Sequence, residues 1–129
     1  MASNKAIQLL LVEDSITDAY LVQEMLSCEA PGRFHIVNAP RLIDAFHLIE
    51  KRKFDAILLD LNLLDIDGIA SVTALHNEKP HLPIVVYTGM DDPTLATKVK
   101  ECGATGFLVK GRADGKMIQY SIEHALMAA

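Results

Sequence analysis

Five times along its 129 residues this chain passes from a short, unbroken apolar run to a longer amphipathic stretch, and that alternation admits few folds. Apolar runs without polar interruption suit strands buried on both faces. Such strands belong to a parallel sheet in which a helix returns the chain after each strand. The predicted strands are Gln8–Val12, Phe34–Asn38, Ala56–Leu59, Ile84–Tyr87 and Thr105–Val109. Helix signals fall between them: Ser15 with Asp18 three residues on forms a capping-box pattern, and Asp92-Pro93 sets a cap residue before a first-turn proline. Pro31-Gly32 and Gly103 close the first and fourth helices. The last helix, Asp114 to Met127, carries Ile118, Ile122 and Ala125 on one stripe to cover the sheet and turns Lys116, Gln119 and Glu123 outward. Half of the residues are apolar, enough for one domain, expected over residues 6–128, with no room for a second.

Right-handed crossovers place helices on both faces, and the arrangement most compatible with five such units is a flavodoxin-like doubly wound α/β sheet of strand order 2-1-3-4-5. All strands then end at one carboxyl edge. Polar residues follow four of them: Glu13-Asp14, Asp60, Thr88 and Lys110. In this order the switch point lies between the first and third strands, so Glu13-Asp14 and Asp60 face each other across the crevice where open α/β folds bind ligands.

A carboxylate can attack phosphorus to give an aspartyl phosphate, but three carboxylates in one pocket repel each other and an incoming phosphoryl donor. A cation must cancel that charge. Mg²⁺, or Mn²⁺ in its place, prefers oxygen ligands and is usually held by one or two carboxylates together with water. Asp14 and Asp60 are the expected direct ligands, with Glu13 acting through water. Lys110 offers a mobile point charge and Thr88 a hydroxyl to the phosphoryl oxygens.

The net charge of −5 comes without a basic run, which speaks against nucleic acid or an anionic membrane as a direct partner and for a protein. No apolar stretch nears the roughly 20 residues that span a bilayer, and the first residues do not resemble a signal peptide. Cys28 and Cys102 have no paired spacing and read as reduced thiols, so a cytoplasmic location is expected. The five histidines show no metal spacing and read as surface or helix residues.

Four segments, LLLVEDS at 9–15, ILLDLNLLDIDG at 57–68, VVYTG at 85–89 and GATGFLVKG at 103–111, together give the chain a resemblance over nearly its whole length to the receiver domain of two-component response regulators, the CheY-like superfamily. The resemblance implies that Asp60 is the phosphoacceptor, that Glu13 and Asp14 are the metal-binding acidic pair, and that Asn62 is a metal ligand through its backbone carbonyl. It implies that Thr88 and Lys110 bind the phosphoryl group and that Thr88 and Phe107 form the switch pair. The partners it implies are a histidine kinase or histidine phosphotransfer protein upstream and an unknown protein downstream. A homodimer through the fourth helix, fifth strand and fifth helix is a further expectation. Such a protein catalyses only its own phosphorylation and dephosphorylation and is not a conventional enzyme. The chain departs from the family at Leu64, where proline is usual, and at Lys110-Gly111, where Lys-Pro with a cis bond is usual; without proline a trans bond is the expectation.

Two alternatives share these residues. A degenerate receiver would bind proteins without being phosphorylated. A haloacid-dehalogenase-like phosphatase also uses a strand-end aspartate with Mg²⁺, but needs a second Asp where this chain has Asn62. A flavin-binding flavodoxin is disfavoured because Glu13 and Asp14 stand where a flavin phosphate would sit.

Overall fold

The computed structural model describes residues 5–62 and 68–128; Leu64 lies outside the described residues. The chain alternates β1 (Ile7–Val12), α1 (Ile16–Glu29), β2 (Phe34–Ala39), α2 (Leu42–Lys51), β3 (Ala56–Leu59), α3 (Gly68–Glu78), β4 (Ile84–Thr88), α4 (Pro93–Glu101), β5 (Gly106–Val109) and α5 (Gly115–Ala128). The strands pair in parallel in the order β2-β1-β3-β4-β5, the flavodoxin-like arrangement expected. Among the described residues, no helix is long and apolar enough to cross a membrane.

Successive side chains of a strand point to opposite faces, so an unbroken apolar run feeds two cores at once. Leu10, Val12, Ile57, Leu59, Ile84 and Val86 pack with Ala45 and Ile49 of α2, Val72 and Leu75 of α3 and Val99 of α4. Leu9, Leu11, Leu58, Val85 and Tyr87 pack on the other face with Val22 and Leu26 of α1 and with Ile118 and Ile122 of α5. Each buried Leu or Ile stabilises the fold by roughly 1.5–3 kcal/mol relative to exposure.

The helix signals act as read, with one exception. Asp92 accepts from the Thr94 N–H at 2.9 Å with Pro93 in the first turn, and Asp114 caps α5 through the Met117 N–H at 2.9 Å, so α5 begins one residue after the predicted start. Ser15 Oγ accepts from the Asp18 N–H at 3.2 Å, the forward half of a capping box. The return half is missing. The Ser15 N–H instead donates to Glu13 Oε2 at 3.1 Å, and the Asp18 carboxylate points elsewhere. Lys116 faces outward as expected, whereas Gln119 and Glu123 are half-buried, bonded to each other and, through Glu123, to Arg33.

Two glycines hold the layers close. Gly115 starts α5 where a Cβ would come within 2.6 Å of the Met25 carbonyl oxygen on α1. Gly103, with φ of +118°, ends α4 over the His76 ring, whose Cγ would lie 2.5 Å from an added Cβ. Gly103→Ala is therefore expected to destabilise the protein by about 2–4 kcal/mol through backbone strain and overpacking combined, seen as a lower urea midpoint with an unchanged slope.

Candidate metal and phosphoryl site

Hydrogen bonds that continue the strand ladders by one residue fix the carboxyl edge. The Glu13 N–H donates to the Ala39 carbonyl at 3.0 Å, the Asp60 N–H to Val12 at 3.0 Å, and the Lys110 N–H to Thr88 at 2.8 Å. The side chain of Asn38 adds a clamp, donating to the carbonyls of Leu11 and Glu13 at 2.9 and 3.2 Å. Side chains at this edge thus stand on backbone that the sheet itself holds.

Glu13, Asp14 and Asp60 each bring a carboxylate oxygen within 4.8 Å of the others. Glu13 and Asp60 are buried, at 1% and 4% exposure, and Asp14 is half-buried. This donor set fits Mg²⁺. It is all oxygen and anionic, the donor chemistry that this ion prefers.

The ammonium of Lys110 holds the carboxylates together. Its Nζ donates to Glu13 Oε1 at 2.8 Å, to Asp18 Oδ2 at 2.7 Å and to Asp60 Oδ2 at 3.3 Å. Burial alone would push the lysine toward neutrality, but its bonds to Asp18 and Glu13 and the field of Asp60 outweigh it and hold the pKa above the ordinary lysine value. Glu13 is raised to about 7, mainly because burial disfavours its charge; the bond from Lys110 opposes this, and the neighbouring Asp60 adds to it. The same ammonium sits 5.6 Å from the centre of the Tyr87 ring, within cation–π range. Burial raises the Tyr87 phenol as well, against the pull of Lys110.

The other residues singled out in the sequence lie around this cluster. Asn62 donates its backbone N–H to Asp60 Oδ1 at 3.1 Å. Thr88 is fully buried at the end of β4, and its Oγ1 accepts from the Met90 N–H at 3.3 Å. Phe107, half-buried, packs against the core under α2, α3 and α4, on a strand whose register pairs it with Val86. The described residues hold no cis peptide bond, so Lys110-Gly111 is trans, and Gly111 follows with φ of +87°. The described histidines stay apart from the cluster: His35 bonds Gln8, His124 stacks on Tyr120, and His76 packs beneath Gly103.

Sequence reasoning missed two residues of the cluster. Asp18 reads as a capping partner yet ion-pairs with Lys110, and Tyr87 reads as the end of a strand yet underlies the ammonium. A signal for Asp18 existed. It occupies the first turn of the helix that follows the acidic edge, and helical side chains tilt toward the helix N-terminus, which here means toward that edge.

Comparison with known proteins agrees with this geometry. The chain is 26% identical over 120 residues to the transcriptional regulatory protein ZraR of Salmonella typhimurium, a match that covers 93% of this chain and 26% of ZraR. It is 32% identical over 111 residues to protein-glutamate methylesterase/protein-glutamine glutaminase 3 of Anaeromyxobacter dehalogenans, covering 84% of this chain and 32% of that protein. The chain therefore spans about a quarter to a third of the length of these relatives. Among solved structures, the chemotaxis response regulator CheY4 of Vibrio cholerae superposes with a TM-score of 0.80 at 25% identity, covering 94% of this chain and 99% of that one. A response regulator of Chloroflexus aurantiacus, so described provisionally, gives 0.84 at 25% identity, covering 95% and 99%. Residues 9–121 match the family described as response regulator receiver domain, and the chain belongs to that family, whose members serve two-component signalling.

Proposed function

We propose that this protein accepts a phosphoryl group on Asp60 from a histidine kinase or histidine phosphotransfer protein, and that the modification changes which protein it binds. The observation that carries this reading is the placement of Asp60, buried at the end of β3 between a metal-competent carboxylate pair and the ammonium of Lys110. A carboxylate oxygen of Asp60 attacks phosphorus, a P–O bond forms, and the donor's bond to phosphorus breaks, with its electron pair leaving on the donor histidine or on acetate. Mg²⁺, held by Asp14 and Asp60 with Glu13 nearby and the Asn62 carbonyl as a further ligand, would supply positive charge against the phosphoryl oxygens. Lys110 neutralises the charge that spreads over those oxygens during transfer. Thr88 uses its hydroxyl as an acceptor toward Met90, which leaves the O–H to donate to the phosphoryl group.

Output in this reading runs through Thr88 and Phe107. Phe107 lacks a hydroxyl, so it responds by moving between packing environments on the α4 side of β5. Exposed Met117 and Tyr120 of α5, beside Leu108 of β5, offer apolar surface for a downstream protein or a second copy. The family supports a cytoplasmic location, and the net charge of −5 without a basic run supports a domain that does not itself touch nucleic acid.

Incubation with acetyl phosphate and Mg²⁺ is expected to add one phosphate to the wild type by intact mass and none to Asp60→Asn; equal labelling of the two would sink the assignment. In a Mg²⁺ titration, Asp14→Ala is expected to lose affinity on the order of tenfold or more, because few of the ion's ligands come from protein. Asn62 and Met90 line one cavity of about 420 Å³ with Leu61, Ile69 and Leu95. Water that hydrolyses the phosphate would approach past these two side chains, and Met90, apolar and flexible, cannot orient it. Slow autodephosphorylation is therefore expected, with Met90→Glu changing the decay rate after donor removal more than it changes Mg²⁺ binding. A wild-type lifetime of seconds would place control of water elsewhere.

A further inference from the structure

A lysine ammonium has three N–H donors, and Lys110 spends all three on carboxylates: Asp18 at 2.7 Å, Glu13 at 2.8 Å and Asp60 at 3.3 Å. The bond to the proposed phosphoacceptor is the longest. If a phosphoryl group on Asp60 is to receive Lys110, the ammonium must shift toward it and loosen another bond. Glu13 is a poor candidate to let go. Its side chain is 1% exposed, so water cannot replace the lost partner, and an unpaired buried carboxylate is strongly disfavoured. The Asp18 side chain is 38% exposed and can turn to solvent.

Local geometry makes Asp18 available for this role. At the third position of α1 its carboxylate would ordinarily return to the N–H of the cap residue, Ser15. That N–H is already taken by Glu13 Oε2 at 3.1 Å. Meanwhile Ser15 Oγ holds the Asp18 N–H at 3.2 Å, so the backbone of Asp18 is fixed and its carboxylate is free to reach across to Lys110. The displaced capping box therefore delivers a third carboxylate to the ammonium, from a helix rather than from a strand end.

Building on the reading of Asp60 as phosphoacceptor, we propose that Asp18 is a positioning residue that holds Lys110 back toward α1 in the unmodified protein, and that phosphorylation of Asp60 draws Lys110 off Asp18. Asp18 thus opposes phosphorylation and is set free by it. The first turn of α1 becomes an element whose contacts differ between the two states.

Asp18→Asn keeps the shape and removes the charge, and it is expected to raise the rate of labelling by acetyl phosphate at saturating Mg²⁺ by roughly two- to fivefold, the range of a partly exposed ion pair. Asp18→Glu, which keeps the charge, is expected to return toward the wild-type rate. Ser15→Ala loosens the first turn of α1 but leaves the Asp18 charge beside Lys110, so it is expected to lower the melting temperature and to raise the labelling rate less than Asp18→Asn does. A second readout needs neither metal nor phosphate. The ¹⁵N signal of the Lys110 ammonium, sharp while its protons are held in hydrogen bonds, is expected to broaden by solvent exchange in Asp18→Asn and less in Ser15→Ala, which keeps the carboxylate. Labelling of Asp18→Asn at or below the wild-type rate, or a rise shared equally with Ser15→Ala, overturns the role of Asp18. A wild type that takes no phosphate overturns the phosphoacceptor reading instead, and Asp18 then stands or falls on the ammonium signal alone, where an unchanged Asp18→Asn overturns it.

Discussion

The arrangement at the carboxyl edge depends on one cation. Glu13 and Asp60 are buried, Asp14 and Asp18 lie beside them, and no carboxylate in such a group can be ionised without opposing its neighbours. The ammonium of Lys110 reaches three of the four, and it can do so because β5 is paired to β4 and the ladder continues to the Lys110 N–H. A parallel sheet is well suited to this, since every strand delivers its next residue to the same end and both faces are sealed by helices. The cost falls mainly on Glu13, which burial, with Asp60 adding to it, raises to about 7 against the pull of Lys110.

The fold was readable because its signal is carried by many residues. In strands buried on both faces, alternate side chains enter different cores, so each position in Leu9–Val12 or Ala56–Leu59 must be apolar and no single substitution hides the pattern. Boundaries were less legible, for a local reason. Thr105 donates both its N–H and its hydroxyl to the Ile84 carbonyl, so the chain is tied to β4 one residue before β5 begins. A sequence shows the residue types there but not which of them has left the regular ladder.

The site divides along the same line. Glu13, Asp14, Asp60, Thr88 and Lys110 stand out in the sequence because each lies at or within two residues of the carboxyl end of a strand, and strand ends are determined by the apolar runs. Asp18 was misread because Ser-x-x-Asp has the same appearance whether or not the carboxylate returns to the cap. The decision rests on whether Glu13 has already taken the Ser15 N–H, which is a fact of the folded loop. Tyr87 was missed for a similar reason: as an apolar-run residue it belongs to the core, and only the path of the Lys110 side chain makes it part of the site.

That contact between a cation and an aromatic ring also gives the protein an optical reporter. The chain contains three tyrosines and no tryptophan, so tyrosine emission is not masked by a stronger fluorophore. Tyr20 and Tyr120 are exposed, whereas Tyr87 is buried with the Lys110 ammonium over its face. Any event that displaces the ammonium alters the quenching environment of that one buried ring, so the charge state of the edge can be followed by light without attaching a dye.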